Sequence, residues 1–209
     1  MRCIIICGSP DCSSDFIRKT VTDGDFVMCA DSGYGHALNA GVKPDLLVGD
    51  FDSYPGDRPD DIPTITLNTH KDDSDSMHCA AVAVEKGFDE VVLLGALGGR
   101  SDHSFSNLCV LMYLAERGVK ASALSENEYV TVLTEGEHEI KNQKGKTFSV
   151  FPFGCDEAVV TYTGDVEYPA DNLRMKTSDG IGLSNIFNSG DVSIIVSGGI
   201  CLLFIETLM

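Results

Sequence analysis

The chain has no tryptophan and is short of positive charge: 15 lysines and arginines stand against 32 aspartates and glutamates, a formal net charge of -17. That deficit excludes an electrostatic nucleic-acid surface, which needs a basic stripe to meet phosphate. It leaves a nucleotide substrate open, because divalent cations can stand between acidic side chains and a polyphosphate. Long apolar runs are missing too. None approaches the ~18 residues of a membrane span, and the start "MRCIIICGSPD" lacks the apolar stretch and cleavage site of a signal peptide. The expectation is a cytoplasmic protein with neither nucleic acid nor membrane as partner. The eight cysteines form no C-x-x-C pair, so no zinc or dithiol motif is indicated, and they read as small core residues in a reducing compartment.

Several nucleotide and catalytic signatures are also lacking. There is no G-x-G-x-x-G and no nucleophile elbow. "GKT" at 145–147 is not the end of a phosphate loop, since the required earlier glycine falls at Ile140. "DFDSYPGD" is not a calcium loop, because Tyr54 and Pro55 stand where acids, amides and glycine are needed.

What is present is enough apolar residue, 43% of 209, to bury a real core. Over residues 1–134, β-rich runs such as "RCIIICG", "DFVMCAD", "DLLVGD", "EVVLLGA" and "KASALS" alternate with amphipathic stretches. In the longest stretch Phe105, Leu108, Cys109, Met112 and Ala115 recur at helical spacing, with Gly118 as the stop. The alternation predicts an α/β domain, a Rossmann-like parallel sheet with helices on both faces. Over residues 135–209 the runs are short and β-type, separated by Gly, Asn and Asp turns, which predicts an all-β sandwich or barrel.

In an open α/β sheet, ligands bind beyond the carboxyl ends of the strands. This chain concentrates acids there: Asp31 in "CADSG", Asp50 and Asp52 in "GDFDS", Asp75 in "KDDSD" and Asp102 in "GGRSDH". Any one of them reads equally well as a helix cap or turn residue. No cap explains the second acid of Asp-Phe-Asp. Carboxylates crowded on one rim repel one another unless a cation neutralises them, and hard oxygen ligands at this density suit magnesium held with substrate phosphates. Paired glycines and Arg100 in "GALGGRSDH" supply amides and a forked donor for an anion, and Lys71 in "HKDDSD" offers a second phosphate contact. A strand followed by Asp-x-Asp also suits the aspartyl nucleophile of the haloacid dehalogenase-type phosphatases, although that family expects Thr or Val where this chain has Tyr54.

In order, "ADSG", "PDLLVGDFDS", "KDDSD", "LGGRSDHSFSN" and "GLSN" resemble the thiamine pyrophosphokinase family, bacterial type, over nearly the whole chain. The resemblance implies a thiamine diphosphokinase that moves a diphosphate from ATP to the hydroxyethyl oxygen of thiamine, giving thiamine diphosphate and AMP. It implies an ATP- and magnesium-binding catalytic domain at 1–134 and a thiamine-binding β domain at 135–209. Asp50, Asp52 and Asp75 would hold Mg2+ and, with Arg100, carry the catalysis. Asp31, Lys71, Asp72, Arg100, Asp102, His103 and Asn107 would line the ATP side. Ser74, Asp75, Tyr168, Ser184 and Asn185 would meet thiamine. Family members are homodimers with intersubunit active sites, which implies a homodimer here. Ser74 departs from the family's usual Thr but keeps the hydroxyl, and without tryptophan the aromatic platform for thiamine falls to Tyr or Phe, with Tyr168 suited to cation-π attraction.

Overall fold

A computed structural model of the chain describes residues 1–51, 59–68 and 73–207. The chain divides into two compact units, Met1–Glu126 and Asn127–Met209. The change of character read near residue 134 falls one strand after that division.

The first unit contains the strands β1 (Arg2–Ile6), β2 (Phe26–Ala30), β3 (Leu46–Gly49), β4 (Thr64–Thr66), β5 (Glu90–Leu94) and β6 (Lys120–Leu124). They lie in the order β6-β5-β1-β2-β3-β4, with every pair parallel. The helices are α1 (Ser14–Thr20), α2 (Gly33–Ala40), α3 (Asp75–Glu85) and α4 (Ser101–Ala115). The central strands are apolar throughout because both sheet faces are covered. Ile4, Ile6, Val27, Cys29, Leu47, Val92 and Leu94 pack with Ile17 of α1 and Tyr34, Ala37 and Ala40 of α2 in one core. The alternate residues Ile5, Met28 and Leu93 are equally buried, and strand periodicity turns them to the other face, where α3 packs on β1, β2 and β3.

Local signals set the helix ends. Ser13 caps α1 by accepting from the Phe16 amide at 3.2 Å, and Ser74 caps α3 by accepting from the Met77 amide at 3.3 Å. The helix α4 corrects one sequence expectation. Its fully buried face is Asn107, Val110, Leu111 and Leu114, whereas Phe105 is 60% exposed. Because Asn107 is polar it falls outside the apolar stripe, and the stripe lies about one position out of phase with the buried face.

The second unit contains β7 (Glu128–Leu133), β8 (Gly136–Ile140), β9 (Thr147–Pro152), β10 (Glu157–Thr163), β11 (Leu173–Lys176), β12 (Asn185–Ile186), β13 (Val192–Gly198) and β14 (Cys201–Glu206). They form two antiparallel runs, β12-β9-β14-β7 and β11-β10-β13-β8. Inward residues of both runs share one core, including Phe148, Val150, Leu203, Val160, Met175 and Ile194. Phe148 stacks on Phe187 at a centroid distance of 4.1 Å and meets Tyr162 edge-on at 5.5 Å. The segment "IGLSNIF" contributes only the two-residue strand Asn185–Ile186 and an isolated bridge from Phe187 to Val166. Among the described residues no helix is long and apolar enough to cross a membrane.

Candidate active site

The first unit carries a cleft of about 360 Å³ at the carboxyl ends of its strands. It is lined by the turn after β1 (Cys7 to Pro10), the turn after β2 (Ala30 to Ser32), the start of α3 (Ser74 to Ser76), the turn after β5 and the start of α4. The two central strands are stitched together at its floor: the Cys7 amide donates to Leu94 O at 2.7 Å and the Ser9 amide to Gly95 O at 2.9 Å.

Of the acids expected to converge, Asp31 and Asp75 line this cleft. Asp31 leaves β2 with its amide donating to Val48 O at 2.9 Å and its backbone in the left-handed region, φ +46°. Asp50 follows β3 directly but is not part of the cleft lining. Its neighbour Phe51 is also left-handed, φ +61°, and its ring is buried in the core with Leu47 and Ile62. A left-handed bulky residue costs on the order of 1–3 kcal/mol and persists only where the surroundings fix it, so the turn after β3 is held in one shape by that buried ring. Asp52, Lys71 and Asp72 lie outside the described residues.

Gly49 explains how β2 and β3 end side by side. A Cβ on Gly49 would stand 3.0 Å from Asp31 Cα and 3.1 Å from Asp31 N, tighter than ordinary packing allows. The glycine pair after β5 is a second close approach. Gly98 and Gly99 are left-handed, φ +90° and +63°, and a Cβ on Gly98 would overlap the Asp11 carboxylate. The Asp11 Oδ2 accepts from the Gly99 amide at 2.8 Å, and Ser9 Oγ donates to Leu97 O at 2.7 Å. The stretch "GSPD" at 8–11 therefore shapes the glycine turn from below. The sequence reading missed it; the signal available was a Gly-Ser-Pro-Asp turn at the end of an apolar strand.

Arg100 sits at the N-cap position of α4 and faces the cleft, 72% exposed at its side chain. Its Nε donates to Asp102 Oδ1 at 3.1 Å and its Nη2 to Asp102 Oδ2 at 2.6 Å. Hydrogen bonding to Arg100 holds the Asp102 carboxyl down at about 2, and the His103 amide adds to the effect. Asp102 is thus the partner that aims the guanidinium, rather than a cleft-lining group itself. His103 lines the cleft. Asn107 lines it as well and is anchored at both ends of its amide: Oδ1 accepts from Ser76 at 2.7 Å and Nδ2 donates to Ala96 O at 2.8 Å, which leaves one further N–H and one lone pair.

Cys7 also touches the cleft, but burial pushes its thiol up to about 12, so it is a neutral wall and not a nucleophile. The described residues hold no group of three or more acids, histidines or cysteines placed as a ready-made metal centre. The carboxylates of Asp50 and Asp75, the described members of the expected metal set, are hard oxygen donors. That set fits magnesium, which takes one or two carboxylates and fills its shell with water and phosphate.

The remaining candidates belong to the second unit. Asn185 is buried, with Oδ1 accepting from the amides of Tyr168 and Ile186 at 2.9 Å each and Nδ2 donating to Tyr168 O at 2.8 Å. Ser184 is left-handed, φ +58°, and its amide donates to Ser149 Oγ at 3.0 Å. Tyr168 is 64% exposed.

Comparison with known proteins adds three findings. The family model described as "Thiamin pyrophosphokinase, catalytic domain" matches residues 17–123, and that described as "Thiamin pyrophosphokinase, vitamin B1 binding domain" matches residues 137–201. A thiamine pyrophosphokinase of Bacillus subtilis (strain 168) is 28% identical over 161 residues, which is 74% of this chain and 75% of the relative. Among solved structures, a Bacillus subtilis thiamine pyrophosphokinase superposes with a TM-score of 0.88 at 22% identity over 100% of both chains. One from Geobacillus thermodenitrificans gives 0.87 at 25% identity over 99% of this chain and 97% of the other.

Proposed function

Because the chain belongs to the thiamine pyrophosphokinase family, we propose how its residues divide the work of a thiamine diphosphokinase. The reaction moves a diphosphate from ATP to the hydroxyethyl oxygen of thiamine and releases AMP. The phosphatase alternative has no support among the relatives, since both family models are those of the kinase.

The observation that carries the assignment is the cleft that gathers Asp31, Asp75, the glycine turn and Arg100 at the ends of adjacent parallel strands. Phosphoryl-type transfer needs positioning and charge neutralisation more than covalent help. Asp50, Asp52 and Asp75 would hold magnesium, which would neutralise the polyphosphate charge. Arg100, aimed by Asp102, offers its forked donors to phosphate oxygens, and the glycine turn lets backbone approach the anion. Asp31, Lys71, Asp72, His103 and Asn107 complete the nucleotide side, with Asn107 also fixing the wall through Ser76 and Ala96. Ser74, Asp75, Ser184, Asn185 and Tyr168 complete the thiamine side, with Asn185 holding the Tyr168 backbone in place.

The protein acts as a cytoplasmic homodimer in this reading, with active sites shared between subunits. Tyr168 and Leu183, 64% and 65% exposed, together with Ile181 and Ile186 give the second unit a surface that a partner would cover. All eight cysteines are free thiols, as a reducing compartment favours. One incubation tests the activity: purified protein with ATP, magnesium and thiamine should yield AMP and thiamine diphosphate in equal amounts. Release of ADP or free phosphate in place of AMP would refute it. Sedimentation at micromolar concentration should give twice the chain mass, and a monomer would remove the shared sites.

A further inference from the structure

Ser76 is buried, 7% exposed, one residue past Asp75 in the first turn of α3, and it is not among the residues expected to act. It is the middle of a hydrogen-bond chain whose polarity is determined from its Ala96 end. Ala96 O can only accept, so Asn107 turns its Nδ2 toward it, at 2.8 Å, and its Oδ1 toward Ser76. Ser76 therefore donates to Asn107, at 2.7 Å. With that proton committed, the 3.1 Å contact between the hydroxyls of Ser74 and Ser76 has Ser74 as donor. Ser74 Oγ in turn accepts from the Met77 amide at 3.3 Å, which can only donate. The Ala96 end sets the direction, and the Met77 bond is compatible with it.

Two consequences follow for the cleft that Ser74, Asp75, Ser76, Ala96 and Asn107 all line. The first turn of a helix lacks backbone partners for its amides and frays when left alone. Here it is tied to α4 by Ser76, directly after Asp75, and Asn107 in turn holds α4 to Ala96 beyond β5. The hydroxyls of Ser74 and Ser76 have also spent their protons, so toward the cleft they offer lone pairs and no donor. They can receive a hydrogen bond from a bound water or a substrate amine, and they give none to phosphate.

We propose that Ser76 is a positioning residue for diphosphate transfer, holding Asp75 in place by locking the first turn of α3 through Asn107 to α4. This rests on the kinase reading above. Displacing a group by about 1 Å can cost on the order of a hundredfold in rate, and a smaller displacement on loss of this tether should cost about tenfold.

The test compares steady-state kinetics and melting temperature for wild type, Ser76→Ala, Ser76→Thr and the control Val110→Ala, a fully buried position of α4 away from the cleft lining. Ser76→Ala should lower kcat about tenfold with KM for ATP and thiamine within about twofold, as expected when a transition-state interaction is lost. Ser76→Thr, which keeps the hydroxyl, should recover most of it. Val110→Ala should lower the melting temperature at least as much yet keep kcat. The proposal is overturned if Ser76→Ala retains kcat, if Val110→Ala loses as much, or if Ser76→Thr is as slow as Ser76→Ala. A wild-type protein that forms no thiamine diphosphate overturns the kinase reading and this inference with it; the other outcomes sink the inference alone.

Discussion

Asn185 clasps Tyr168 by both of its backbone groups, accepting from the amide at 2.9 Å and donating to the carbonyl at 2.8 Å. A buried carboxamide used in this way does the work of a missing strand pair. Asn185→Ala should leave those groups unsatisfied and cost about 1–3 kcal/mol, read by urea unfolding. Asn185→Asp keeps the acceptor and loses the donor, so it should fall between wild type and alanine. In the same variants KM for thiamine should rise, because the Tyr168 ring then lacks a fixed base.

Arg100 and Asp102 form a forked pair on the surface, with side chains 72% and 65% exposed. Exposed pairs contribute little to stability. Arg100→Lys should therefore leave the melting temperature unchanged while raising KM for ATP at least about tenfold, because an ammonium cannot reproduce the fork. Asp102→Asn should give a smaller rise, since the guanidinium remains but is no longer aimed. Equal effects of the two on melting temperature and none on KM would remove Arg100 from the nucleotide site.

Asp25 and Arg2 form a second fork, at 2.8 and 2.6 Å, here with the carboxylate nearly covered. The hydrogen bond from Arg2 lowers the Asp25 carboxyl to about 2 against opposing desolvation, and the Thr22 amide assists. A carboxyl depressed on folding adds stability that is complete above its unfolded value near 4 and lost as pH falls through its folded value near 2. The pair should contribute on the order of 2 kcal/mol at neutral pH. Asp25→Asn should lose that amount at pH 7 and nothing further at pH 2, as followed by chemical unfolding at both.

Gly49 touches the Asp31 backbone, with a would-be Cβ 3.0 Å from Asp31 Cα. Gly49→Ala should push β2 and β3 apart where they end, costing about 1–3 kcal/mol by overpacking. Activity should fall further than stability, because Asp31 and Asp50 leave the ends of those two strands. A variant equally stable and equally active would show that the approach is slack.

Much of this site was legible because its residues carry local signals. An acid directly after an apolar run, as at Asp31 and Asp50, marks the carboxyl end of a strand, and Ser74 three residues before Met77 marks a helix start. The hidden parts are those that only distant packing creates. Asp11 meets Gly99 across 88 positions, and Ser76 meets Asn107 across 31. Nothing near Ser76 distinguishes it from any helical serine. Asn107 is legible as part of its motif, whereas its burial and its bond to Ser76 are not. In the second unit, "EYVTVL" at 128–133 escaped notice as a strand because it follows β6 after only a short polar turn.

The contact between Asp11 and Gly99 bears on how the protein comes into being. Since β1 lies between β2 and β5, the first strand made is an edge until a strand some ninety residues later arrives to cover it. Closing so long a loop is slow, and an uncovered apolar strand is a template for wrong partners. During synthesis the chain must therefore carry this apolar strand half-dressed for most of the time its first unit takes to emerge, and the contact that shapes the glycine pair exists only once that wait is over.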